Sequence, residues 1–218
     1  MRLPDAVNSV QVNGVQYSNH VSTGTHARHD RTSVVDAAIR ILDEWGLPEL
    51  TMRRLAGALD VQPSALYHHF ANKQALLAAV ADRIQEAARP APSPALGWYE
   101  ATLAEAVNVR DALLAYRDGA EVVLSTRALG LGADAAHARL TAALGRGHDA
   151  ETAASVATVL LHLILGDASL AQQRLQAESL GAAAPGVADA SDPGMVFRLG
   201  VELLLSGLEI AEQTREAW

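Results

Sequence analysis

Residues 51–77 read Thr51-Met52-Arg53-Arg54-Leu55-Ala56-Gly57-Ala58-Leu59-Asp60-Val61-Gln62-Pro63-Ser64-Ala65-Leu66-Tyr67-His68-His69-Phe70-Ala71-Asn72-Lys73-Gln74-Ala75-Leu76-Leu77. Thr51 is an N-cap, its hydroxyl placed to accept an otherwise orphan N–H, and it opens a short helix from Met52 to Leu59 with Leu55, Ala56 and Leu59 inward. Asp60-Val61 is a tight turn. Pro63 suits the first turn of the next helix, where its missing N–H would have had no acceptor anyway. Leu66 and Phe70, four apart, anchor that helix and leave Ser64, Tyr67 and His68 on other faces. Asn72 caps a further helix with the stripe Leu77, Val80, Ala81, Ile84 and Ala88, ended by the stiff linker carrying Pro90, Pro92 and Pro94. Upstream, Val35, Ala38, Ile39, Leu42 and Trp45 share one face of a helix that starts at Thr32 and stops at Gly46-Leu47-Pro48. Three short helices ending at Phe70 have the spacing of a helix-turn-helix, which presents one helix to a DNA groove and steadies it with phosphate contacts from its neighbours. Any small three-helix cluster produces the same spacing, so the pattern alone leaves DNA binding and plain packing both open.

Working outward, the whole chain of 218 residues is half apolar but only 4% aromatic, so its core is built from Ala, Leu and Val, a composition that favours helices. No segment alternates as a strand does, and the fold class is all-α. Candidate helices run from Trp98 to Val107, Arg110 to Glu121 with an extension toward Arg127, Asp134 to Leu144, Ala150 to about Glu178, and Met195 to Thr214. Leu180 to Gly194, rich in Ala, Gly, Pro and Asp, reads as a mobile loop. The polar first 29 residues, with His20, His26 and His29, read as a flexible arm whose histidines are solvated. The apolar run beginning at Val156 meets His162 well short of the ~18 residues of a membrane span, and residues 1–14 carry no leader-like apolar core. Absence of cysteine excludes disulfides, thiolate metal sites and cysteine nucleophiles. These features point to a cytoplasmic protein with no membrane partner.

Charge first argues against nucleic acid, because 17 basic residues face 25 acidic ones for a net −8. The partition says otherwise. Arg28 to Lys73 carries six cations and six anions, and the remainder from Gln74 carries ten cations and eighteen anions. The helix-turn-helix segment is neutral, and its phosphate affinity rests on a few placed groups: Arg53, Lys73, helix N-termini, and Arg28 and Arg31 at the end of the arm. Few neutralised phosphates imply a shallow salt dependence.

The run from Thr51 through Val61-x-x-x-x-Leu66-Tyr67-x-His69-Phe70 to Lys73 and the Leu76-Leu77 pair closely resembles the tetracycline-repressor (TetR) family. Trp98, Leu113-Leu114-Ala115-Tyr116-Arg117-Asp118-Gly119-Ala120, Thr126-Arg127 and Leu165-Gly166 extend the resemblance to the tetracycline-repressor branch itself. It implies a homodimeric, ligand-responsive transcriptional regulator, most simply a repressor released from a palindromic operator by a small effector. The corresponding domains are an arm over residues 1–29, a helix-turn-helix domain over 30–75 and a helical effector-binding and dimerisation domain over 76–218. Double-stranded operator DNA, a small molecule and a second copy of the chain are the implied partners. The family's DNA contacts fall on Met52 and Arg53, on Gln62, Pro63 and Ser64 facing the bases, on Tyr67 and His69 at phosphate and sugar, and on Lys73 at a phosphate. Tyr67 as a core aromatic and His69 as a solvated side chain remain open. Met52, Pro63 and Ala65 are apolar where relatives place hydrogen-bonding groups, so thymine-methyl contacts and DNA shape carry more of the specificity.

Drug-binding members of that branch hold a magnesium–tetracycline chelate. The resemblance puts Val123 and Leu170 where the metal-binding His and Glu stand, Glu105 and Val109 where an Asn and a Phe stand, and Arg89 near a second His; Thr126 alone is retained. An apolar pair cannot ligate a hard cation, so no metal and no cofactor is expected, and the effector is mid-sized and largely apolar. Glu105, Val109, Val123, Thr126, Arg127, His162, Asp167 and Leu170 are the candidate lining. Arg127 as a surface ion pair and His162 as a core histidine stay open. Val156, Val159, Leu160, Leu163 and Ile164, with Phe197, Leu203, Leu204 and Leu208 beside Gly200 and Gly207, form the expected dimer helices. No enzyme is expected: Gly130-Leu131-Gly132-Ala133-Asp134-Ala135 matches a nucleotide fingerprint formally but follows no strand. A helical ligand-binding or scaffolding protein with a vestigial DNA-binding domain is the alternative.

Overall fold

The computed structural model describes residues 29–182 and 192–216. Residues 1–28, with His20, His26 and Arg28, and residues 183–191 lie outside the described residues; His29, expected to be solvated at the end of the arm, is instead half-buried with its Nε2 3.1 Å from the Leu59 carbonyl oxygen. Among those described there are helices and no strand. The order is α1 (Arg31–Trp45), a single 3-10 turn (Leu47–Glu49), α2 (Met52–Ala58), α3 (Pro63–Tyr67), α4 (Lys73–Glu86), α5 (Trp98–Leu114), α6 (Gly119–Ala128), α7 (Ala135–Leu144), α8 (Ala150–Ser179) and α9 (Pro193–Glu216).

Local chemistry explains the starts. Asp30 caps α1 by accepting the Ser33 N–H at 2.7 Å, Thr51 caps α2 through the Arg54 N–H at 3.1 Å, and Asn72 caps α4 through the Ala75 N–H at 2.8 Å. Asp60 takes the left-handed conformation (φ 52°) in the turn between α2 and α3. Leu42, Leu50, Leu55, Leu66, Phe70 and Leu76 are fully buried and fuse α1–α3 onto the first turns of α4. Burial of each such side chain contributes roughly 1.5–3 kcal/mol. Helix α4 then runs on to pack against α5, α6 and α7.

Three expectations change. Trp45 lies on the inward face by spacing yet is 52% exposed, because α1 ends there and no element covers it; its ring instead carries the Arg54 guanidinium at 4.9 Å. Helix α3 stops at Tyr67, and Phe70 reaches the core from the following turn. The break expected near Asn108 is absent, and α5 continues to Leu114. The interruption falls at Ala115–Asp118, where Asp118 is left-handed (φ 54°) and Gly119 is required: a Cβ there would lie 2.5 Å from the Leu113 carbonyl.

Helix α8 is long and apolar enough to cross a bilayer by composition, but it packs against α5, α6 and α7 through Ala157, Leu160, Leu161, Ile164, Leu165 and Ala168. Of the expected dimer helices, Leu160, Ile164 and Phe197 turn into this core. Val159, Leu163, Leu199 and Leu203 stand exposed on the outer faces of α8 and α9.

Candidate DNA-reading face and effector cavity

Helix α3 is rooted by Leu66 and Phe70, each 1% exposed, which leaves its opposite side in solvent. Gln62, Pro63, Ser64 and Tyr67 are all exposed on that side, and Tyr67 is 51% exposed and so is not a core aromatic. Pro63 at N1 fixes the first turn; Gln62 makes no side-chain cap, and its carbonyl accepts the Ala65 N–H at 2.9 Å. Met52 is half-buried against the core and Arg53 is exposed beside it. Arg54 is committed elsewhere, paired with Glu49 at 3.1 Å and stacked on Trp45.

Lys73 is the first residue of α4, where its ammonium adds to the positive end of the helix dipole. His69 is half-buried, and its carbonyl accepts an Arg31 N–H at 2.8 Å. The same guanidinium lies 4.2 Å above the Phe70 ring. Arg31 is therefore a brace between α1 and the end of the α3 turn as well as a cation near it.

In the larger helical body, Val123 and Thr126 of α6 are buried and line a partly open cavity of about 150 Å³ with Gln85, Arg127, Gly130, Leu131, Gly132 and Asp134. On the other side of Gln85 a void too narrow for water touches Val109, Ala112, Leu113 and Ala136. Sequence pattern does not mark Gln85 as a site residue, although its position four after Ala81 places it on the stripe of α4. Its Nε2 donates to the Ala81 carbonyl at 3.1 Å, and its Oε1 accepts the Ala136 N–H at 2.9 Å. The Thr126 hydroxyl donates to its own helix, to the carbonyls of Val122 and Val123.

The charged candidates are already partnered. Glu105, 1% exposed, pairs with Arg139, which also donates to the Arg89 carbonyl at 2.6 Å. Arg127 pairs with Asp134, and Asp167 pairs with Arg110 at 2.6 Å. Val109, Val123, Thr126 and Arg127 thus gather around Gln85, with Glu105 one helical turn from Val109 on α5. His162 and Leu170 do not join them: both are exposed on α8, Leu170 at 61%. His162 is accordingly not a core histidine.

The donor set does not fit a magnesium chelate. Val123 and Leu170 offer no side-chain oxygen, and the carboxylates beside them are already paired, Asp134 of the cavity lining with Arg127 and Glu105 with Arg139.

Both the N-terminal helices and the larger helical body match known families. The family described as bacterial regulatory proteins, tetR family, matches residues 34–80, and the tetracyclin repressor-like C-terminal domain matches residues 91–193. The tetracycline repressor protein class D of Escherichia coli is 33% identical over 84% of this chain and 91% of its own length. Among solved structures, BioQ with its double-stranded DNA operator is 38% identical, with TM-score 0.69 over 83% of this chain and 98% of that one. A tetracycline repressor variant from Acinetobacter baumannii AYE in complex with minocycline is 28% identical, with TM-score 0.69 over 84% and 98%.

Proposed function

Because this chain belongs to the TetR family of bacterial transcriptional regulators, we propose that it reads its operator through the exposed side of α3 and answers a small, largely apolar effector held around Gln85. It is a ligand-responsive DNA-binding repressor that acts as a homodimer. The observation that carries the reading is the solvent-facing side of α3, with Gln62, Pro63, Ser64 and Tyr67 rooted by Leu66 and Phe70 and flanked by Lys73 at the start of α4. Base contacts belong to the first turn of α3, and phosphate contacts to Arg53, Tyr67, His69, Lys73 and the helix N-termini. With Pro63 leading the helix, few bidentate base contacts form, and DNA shape contributes to specificity.

The effector reading draws on the cavity's size as well as its lining. About 150 Å³ is well below the ~300–1,000 Å³ of ordinary ligand pockets, so a mid-sized effector must displace the loop over Leu129–Asp134 to enter. Gly130 and Gly132, both at positive φ, are the loop positions able to yield. Ligand entry there would strain the Gln85–Ala136 hydrogen bond and the 2.7 Å bond from the Ala133 N–H to Asp82, both of which hold α4. Binding thereby shifts the population of head orientations. The lining supports neither magnesium nor tetracycline as the effector, and a catalytic role has no support in the sequence motifs.

A mobility shift on DNA flanking the protein's own gene tests this, using wild type, Tyr67→Ala and Lys73→Ala. We expect wild type to bind and each variant to lose about tenfold or more in affinity. Absence of wild-type binding to any flanking fragment would favour a ligand-binding protein with a vestigial DNA domain.

A further inference from the structure

Helix α4 is the covalent link between the DNA-reading head and the helical body, and a second, non-covalent link stands beside it. The break between α5 and α6 leaves backbone groups without helical partners, and one side chain from α8 takes up three of them. Gln172 accepts the Ala120 N–H at 3.1 Å and donates to the carbonyls of Leu113 at 3.0 Å and Tyr116 at 2.8 Å. The turn so held presents two residues to the head. Asp118, 8% exposed, accepts the Leu47 N–H at 2.7 Å. The Arg117 backbone N–H donates to Asp43 at 3.2 Å, and its guanidinium donates to the Glu44 carbonyl in the last turn of α1, also at 3.2 Å. The fit is close on the head's side too: a Cβ on Gly46 would lie 2.9 Å from the Asp118 carboxylate.

We infer that Gln172 and Asp118 are positioning residues that fix the angle of the DNA-reading head relative to α8. One link between two rigid bodies is a hinge, whereas two separated links define an orientation. The contacts land on the end of α1 and on Leu47, which opens the 3-10 turn leading through the buried Leu50 to the Thr51 cap of α2, so they grip the head where two of its helices join. At the other end, Gln172 sits on the helix whose outer face carries the exposed Val159 and Leu163, so the body it reports is the one that meets the second copy. An open cleft of about 360 Å³ bordered by Tyr116, Arg117, Gln172 and Leu175 gives the turn room to move. Head angle matters because two recognition helices must sit about 34 Å apart to enter successive major grooves. The inference rests on the DNA-binding reading above.

The chain has no cysteine, so Ala58→Cys on the exposed end of α2 gives one spin label per subunit. Electron–electron resonance in the dimer then reads head separation without DNA, and binding to the flanking fragment is measured in parallel. We expect a narrow distance distribution for the labelled parent and at least a twofold broadening for Asp118→Ala and Gln172→Ala. DNA affinity should fall about tenfold in both, while Asp118→Asn, which keeps an acceptor for Leu47, stays within twofold of the parent. Asp43→Ala, on an exposed position that cannot unfold the domain, should broaden the distribution by a smaller amount. Parent-like distributions in Asp118→Ala, Gln172→Ala and Asp43→Ala, or a lowered melting temperature with unchanged head distances, would overturn the inference. A parent that binds no flanking DNA yet shows the expected broadening would fault the DNA-binding reading and leave the link standing.

Discussion

Leu66 and Tyr67 are adjacent in α3 and have opposite environments, the first 1% exposed and the second 51%. Leu66→Ala should destabilise the head by about 2–5 kcal/mol, measured by denaturant unfolding, because it leaves a cavity in the core where Leu66 is 1% exposed. Tyr67→Ala should leave stability within ~0.5 kcal/mol, as surface substitutions do, while weakening DNA binding. Equal losses of stability in both would contradict this assignment of faces. Spacing alone made Leu66 and Phe70 legible in the sequence. It misplaced Trp45, because periodicity identifies a face but not whether a neighbour covers the helix's end. Gln85, Gln172 and Arg139 were illegible as site residues for a related reason: each bonds a backbone group 50 or more residues away, which no local pattern reveals.

At the scale of elements, caps are the features with a clear chemical handle. Asp149 opens α8 by accepting the N–H groups of Glu151 at 2.9 Å and Thr152 at 3.0 Å. The Thr152 backbone N–H, followed by its hydroxyl, holds the Asp149 carboxyl below the ordinary carboxylate value of 3.8. A lowered folded-state value means the cap's contribution is present above that ordinary value and is lost as pH falls through the lowered one. Asp149→Asn, still a capping residue, should therefore show a flatter loss of melting temperature between pH 5 and 2 than wild type; identical acid slopes would contradict the cap's role. Helix existence and most starts were readable from such caps and from Pro and Gly. The α5–α6 boundary was not, because Asn108-Val109 contains no breaker, and the true break depends on Asp118 meeting Leu47 and on Gln172 arriving from α8.

The molecule as a whole joins a neutral head to an acidic body, and the net charge of −8 conceals that division. The body's outer face exposes Val159 (54%), Leu199 (54%) and Leu203 (65%), and we propose it as the surface a second copy covers. Leu203→Glu should convert the dimer to a folded monomer in sedimentation analysis with helicity retained, and a dimer of unchanged affinity would show that this face is not the contact. Function was legible because the Thr51–Leu77 run ties fold and chemistry together; the effector was not, since the residues around Gln85 are brought together from separate helices and leave a cavity of only about 150 Å³. The central claim is that two copies present α3 to one face of a DNA duplex. Hydroxyl-radical footprinting of the flanking DNA tests it most directly. The expected result is two symmetric protected clusters on one helical face, centred about 10–10.5 base pairs or a multiple of that apart. Protection of a single asymmetric site, or none along the fragment, would contradict it.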